Sequence, residues 1–166
     1  LQDICKPSES MPVILMTPQG RVFNHTIAKE LSSFKEMILI CGRYEGFDER
    51  IRNNLATDEI SIGDFVMSGG EIAAMALIDT VSRLIPGVVG QTESIENDSF
   101  YNGLLQFPQY TRPASFQGMN VPEILLSGNH SEIDRWRKEQ SVLRTKSRRS
   151  DLLSEAIAHE SSENIP

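Results

Sequence analysis

Short apolar runs alternate with helically spaced positions along the first half of this 166-residue chain. "PVILM", Pro12 to Met16, is rich in branched residues and runs into "TPQG", whose proline and glycine punctuate turns, so it predicts a buried strand that ends there. "NHTIAKELSSF" opens on an asparagine suited to capping and spaces Ile27, Leu31 and Phe34 at helical intervals. "MILIC" predicts a second buried strand, "FDERIRNN" a short helix, and "EISIGDFVM" a third extended piece broken by Gly63. "SGGEIAAMALIDTVSRLIPG" then spaces Ile72, Met75, Ala76, Ile78, Asp79 and Ser82 around a helix that stops before Pro86; being long and mostly apolar, it should be buried against the sheet. This alternation predicts an α/β fold, a mainly parallel sheet with helices on both faces.

Beyond Val88 the pattern dissolves into a stretch rich in Ser, Asn, Gly, Gln and Pro as far as about Asn120, and long irregular stretches in compact chains are usually lids or linkers. "VPEILLSGNHSEIDRWRKEQSVLRTKSRRSDLLSEAIA" follows with a short apolar run, a cap-like "GNHSE" and one or two helices. The expected organisation is an α/β domain over residues 1–88, a flexible linker over 89–120 and a helical C-terminal unit over 121–166.

Composition narrows the class. No apolar run approaches the ~20 residues of a membrane span and no signal-peptide pattern opens the chain, which predicts a cytoplasmic protein without a membrane partner. Cys5 and Cys41 cannot form a disulfide framework, and the scattered His25, His130 and His159 have no metal-ligand spacing, so no metal site is expected. A formal net charge of −7 argues against nucleic acid until its distribution is considered. Seven of the sixteen basic residues lie between Arg135 and Arg149, where Glu139 is the only acid. Such a cluster on an acidic chain is either an electrostatic footprint for phosphate or a solvated helix face.

Three glycine-bearing loops, "TPQG", "CGRYEG" and "SIGDFVMSGG", come directly after apolar strands. Ligands of open parallel sheets bind beyond the carboxyl ends of the strands, and glycines there let the backbone reach a ligand. None of the three fits the phosphate-binding loop or the dinucleotide fingerprint. Taken in order, however, "TPQGR", "CGRYEGFDERI", "EISIGDFVMSGGE", "IDTVSRLIPGVVG", "DSFYNGLL", "YTRP" and "LLSGNHSEIDRWR" closely resemble bacterial tRNA (guanine-N1)-methyltransferase of the SPOUT superfamily, from about Val13 to Leu153. The resemblance implies transfer of a methyl group from S-adenosylmethionine (SAM) to N1 of the tRNA guanosine just 3′ of the anticodon. It also implies a deep trefoil knot and a homodimer with its active site between subunits. Another SPOUT RNA methyltransferase, or a non-catalytic RNA-binding SPOUT protein, is the competing reading.

Carried over position by position, the resemblance makes Pro18, Gly42, Ile62, Gly63, Asp64, Phe65, Val66, Met67 and Gly70 candidates for SAM contact. Phe65 stands where members often have tyrosine, so a hydroxyl contact is absent here. Asp98 in "NDSF" matches the family's proposed base for the N1 proton, and Arg83 in "VSRLIPG" matches its catalytic arginine, placed to stabilise charge on guanine O6. Ordinary roles compete: a turn cap for Asp98, and for Arg83 a cation offsetting a helix dipole. Glu45 is a lesser candidate for substrate binding, and Arg144, Lys146, Arg148 and Arg149 are candidates for the tRNA backbone. Some members are thought to use a magnesium ion, for which no pattern in this sequence speaks. Bacterial members also carry a region ahead of "PVILM", with a "GGGPGM"-like loop and further strands, that has no counterpart here.

Overall fold

The computed structural model describes residues 11–43, 46–89 and 96–153, and the chain divides into two compact units, Leu1–Thr92 and Glu93–Pro166. In the first unit a parallel sheet has the order β2-β1-β3, with β1 (Val13–Val22) between β2 (Ile38–Cys41) and β3 (Asp58–Ser61). Side chains alternate across a strand, so Ile14 and Met16 share one face of β1 while Val13 and Leu15 share the other. All four are buried. On the Ile14 face the core gathers Met16 and Ile60 with Ile27, Ala28 and Leu31 of α1 (His25–Leu31) and Ala73, Ala74, Leu77 and Val81 of α3 (Glu71–Leu84). Each fully buried aliphatic side chain there stabilises the fold by about 1.5–3 kcal/mol. Helix α1 starts where expected, because Asn24 Oδ1 accepts the Ile27 amide at 3.0 Å. The short α2 (Glu49–Asn54) is capped in the same way by Asp48.

Two expectations are corrected. β1 does not end at "TPQG": Met16 pairs with Ile60, residues 17–20 loop out of the ladder, and Arg21 pairs with the same Ile60 before the strand runs on to Val22. Pro18, which cannot donate to a ladder, therefore sits where no ladder bond is needed. The Arg21 guanidinium fastens the re-entrant end, donating to Asp58 of β3 and, at 2.9 Å, to both carboxylate oxygens of Glu30 on α1. That bonding holds the Glu30 carboxyl below its usual range. Nor is α3 buried all round: its inward face is Ala73, Ala74, Leu77 and Val81, while Ile72, Met75 and Ile78 are 66%, 68% and 52% exposed. Small residues win the inward face because α3 must approach both α1 and the sheet.

In the second unit the described residues before Ser115 form no strand, and a hairpin of β4 (Ser115–Phe116) and β5 (Met119–Asn120) follows. Its turn residues Gln117 and Gly118 both have positive φ, as a tight two-residue hairpin demands. A 3₁₀ turn over Glu123–Leu126 leads to α4 (His130–Arg148), whose N-cap Asn129 accepts the Glu132 amide. Thr145 of α4 is wholly buried and fully bonded, accepting the Leu105 amide at 2.8 Å and donating to the Ser141 carbonyl at 2.7 Å. Its hydroxyl thus ties the irregular segment to the helix. No described helix is long and apolar enough to cross a membrane.

Candidate active site

The three loops converge beyond the carboxyl ends of the parallel strands. The Gly70 amide donates to the Gly42 carbonyl at 3.0 Å, Arg43 and Gly69 form an isolated antiparallel bridge, and Arg43 Nε donates to Glu71 Oε1 at 2.7 Å. The second loop is in this way tied to the start of α3. Within the third loop, Ser61 Oγ donates to the Gly63 carbonyl and accepts the Gly63 amide, and the Phe65 amide also donates to that carbonyl. Gly63 has φ +151°, and a Cβ there would come within 2.5 Å of the Phe65 ring. Only glycine allows that turn.

Between the loops opens a cleft of about 400 Å³, within the roughly 300–1,000 Å³ common for small-molecule sites. Pro18 lines it from the looped-out segment of β1, Gly42 from the second loop, and Ile62, Gly63, Phe65, Val66, Met67 and Gly70 from the third. Asp64 does not line it. The apolar walls are open to solvent at Phe65 and Val66, which are 53% and 85% exposed. The backbone amides of Val66, Met67 and Ser68 donate to no described residue, so the wall offers unpaired donors beside apolar surface. Gly42 has a further reason to be bare: a Cβ would come within 2.8 Å of the Phe47 ring, which packs over it.

Sequence reasoning missed several lining groups, among them Thr17, Phe47, Glu49, Arg52 and Ser68. Arg52 is the informative one. Its side chain is only 16% exposed and is held by Glu49 at 3.2 Å and by Glu59, so two carboxylates neutralise a cation in the cleft wall. No sequence signal separates this arginine from Arg50, which turns outward to Asp48. Cys41, beside the Gly70 backbone, has its thiol pushed up by burial and by the charge of Glu71, which keeps it protonated.

The other candidates divide between the two units. Arg83 lies exposed in the last turn of α3, and Asp98 lies half-buried in the irregular part of the second unit. Glu45 falls outside the described residues. On α4, Arg144 Nη1 donates to the Gln106 carbonyl at 3.2 Å and Arg149, beyond the helix, pairs with Asp151 at 2.5 Å. Lys146 and Arg148 are exposed in the last turn. Earlier in the helix Arg135 and Arg137 face Glu132 and Asp134. Much of the basic run is therefore answered by its own neighbours. No group of three or more metal-ligating side chains occurs among the described residues.

A parallel sheet whose strand-end loops meet in a glycine-lined, partly apolar cleft defines an α/β protein with an open pocket at the carboxyl ends of its strands. Sequence comparison specifies which: the profile of the tRNA (Guanine-1)-methyltransferase TrmD family matches residues 1–155, and the chain belongs to that family. It is 63% identical over 142 residues to a tRNA (guanine-N(1)-)-methyltransferase of Dehalococcoides mccartyi (strain 195), covering 86% of this chain and 57% of that protein. Relatives of the same name from Staphylococcus carnosus and Geotalea uraniireducens are 60% and 61% identical over 88% and 87% of this chain. The chain spans 57%, 60% and 58% of these three proteins' lengths.

Proposed function

We propose that this chain carries the SAM-binding and catalytic part of a cytoplasmic tRNA guanine-N1 methyltransferase acting on the guanosine 3′-adjacent to the anticodon. The observation that carries the reading is the cleft itself, formed by the loops that "CGRYEG" and "SIGDFVMSGG" contribute, on a chain of this family. Gly42, Gly63 and Gly70 would let the backbone close on the cofactor, with Pro18, Ile62, Val66 and Met67 as its apolar walls and the free amides of Met67 and Ser68 as donors to its polar edges. SAM, when bound, supplies a methyl group on a positively charged sulfur. Asp98 takes the N1 proton of guanine, and Arg83 faces O6, where charge accumulates as that proton leaves. The same reading includes a trefoil knot through the loops and a homodimer with its active site between subunits. The bare apolar stripe Ile72, Met75 and Ile78 on α3 supports pairing with a second copy, since a contiguous exposed apolar face marks an interaction surface.

Incubation with methyl-labelled SAM and tRNA bearing guanosine at that position should put label into N1-methylguanosine, and tRNA with adenosine there should take up none. Label in a ribose or in another base would assign a different SPOUT reaction, whereas SAM binding without transfer would leave the chain a binding protein.

tRNA contact on α4 has a narrower test than the whole basic run, because Arg144 and Arg149 already serve Gln106 and Asp151. A Lys146→Gln, Arg148→Gln double variant should bind tRNA several-fold more weakly and lower the salt slope by about one per residue, with SAM affinity unchanged. An unaltered slope would make these two cations a solvated helix end.

A further inference from the structure

The second unit contains a cavity of its own, about 540 Å³, which the cofactor reading leaves unused. Its floor is apolar: Phe107 and Ile133 are buried, and Val121, just before the 3₁₀ turn, and Leu125, within it, also line it. Among the lining residues are two arginines, Arg112 and Arg137, and no carboxylate, on a chain whose net charge is −7. Arg137 lies 4.9 Å from the centroid of the Phe107 ring and gives one nitrogen to Asp134, while its buried Nε has no partner. Arg112 makes no ion pair or hydrogen bond with a described residue, and Tyr110 stands at the opening 49% exposed. The amides of Gln109, Tyr110 and Thr111 are likewise unpaired among the described residues.

We propose that this cavity holds one unstacked nucleotide of an RNA strand. An apolar floor beside a tyrosine ring and a guanidinium plane suits a flat base, because RNA bases outside a helix are held by stacking on aromatic and arginine faces. Arg112 suits the attached phosphate, and the unpaired amides offer donors to the base edge. An acidic peptide would meet the same two charges but leave the planar surface unused, so the nucleotide is the better match. The inference deepens the tRNA reading and rests on it.

The test measures binding of a fluorescein-labelled single-stranded decauridylate to the full chain, beside a strand of equal length carrying abasic sites. Tyr110→Ala should weaken decauridylate binding about tenfold with no change in salt slope, the size expected for one lost stack. Arg112→Gln should weaken it and lower the slope by about one, and Arg137→Lys, which keeps charge but loses the plane, should behave like Tyr110→Ala. SAM affinity should stay at the parent value in all three. Equal affinity for the abasic strand, wild-type affinity in Tyr110→Ala, or displacement by polyglutamate but not by uridine monophosphate would overturn the proposal. The two readings fail separately. Methylation of tRNA with no effect of Tyr110→Ala removes the nucleotide cavity and leaves the enzyme; Tyr110-dependent binding without methylation removes the enzyme and leaves the cavity.

Discussion

An Asp98→Ala chain should lose methyl transfer to tRNA by about two to four orders of magnitude while binding SAM as tightly as the parent. Guanine N1 carries a proton in the neutral base, so its lone pair becomes a strong nucleophile only as that proton departs. In the proposed mechanism a carboxylate poised for it lowers that barrier and adds nothing to cofactor affinity. Arg83→Ala should cost about two to three orders of magnitude for the complementary reason, the loss of a cation where negative charge develops. Arg83 belongs to the first unit and Asp98 to the second, which makes a mixing experiment informative. Two inactive variants, combined under conditions that exchange subunits, should recover part of the activity if each site draws one residue from each chain. A mixture that stays inactive would assign both residues to a single chain, and full turnover by Asp98→Ala would mean that another group is the base.

Gly20→Ala should lower the stability of the first unit by roughly 3 kcal/mol, near the upper end for overpacking, because the new methyl has nowhere to go. A Cβ at Gly20 would overlap the backbone of Glu59 and Ile60 in β3, not a side chain that could swing aside. The crowding follows from the re-entrant path of β1, which leaves the ladder at Met16 and returns at Arg21 opposite the same residue. Thermal or denaturant midpoints of the full chain measure the effect. Gly87→Ala is the control: that position has φ +84° but no atom within 4 Å of a Cβ, so it carries backbone strain alone, about 1 kcal/mol. Equal losses at the two positions would remove close approach as the cause.

Much of the first unit was legible because its elements carry local signals. Asn24 and Asp48 cap the helices they precede, and "PVILM" and "MILIC" fall on β1 and β2. The continuation of β1 was not legible, since Pro18 and Gly20 read as a turn and only pairing with Ile60 from both sides makes the segment a bulge. Which face of α3 turns inward was not legible either, for a related reason. Hydropathy ranks Ile72 and Met75 above Ala73 and Ala74, yet close approach to α1 selects the small pair. The β4–β5 hairpin is too short for periodicity, although "QG" between two apolar residues was the available sign. In the cleft, the glycine loops announced themselves, while Phe47, Glu49 and Arg52 did not. Their presence there depends on where the second loop and α2 lie against the others, which no spacing records.

The register of the central strand also sets a schedule for synthesis. β1 is made before β3, so Val13 must wait for Thr57, 44 residues later, before its amide can donate to the threonine hydroxyl, and Ile14 must wait for Asp58. At about 5–20 residues per second on the ribosome, that interval is roughly two to nine seconds. Throughout it "VILM" is apolar chain without its β3 partner. Met16, which later lines the cleft, thus belongs to a stretch that stays unpaired along one edge while the chain is being made.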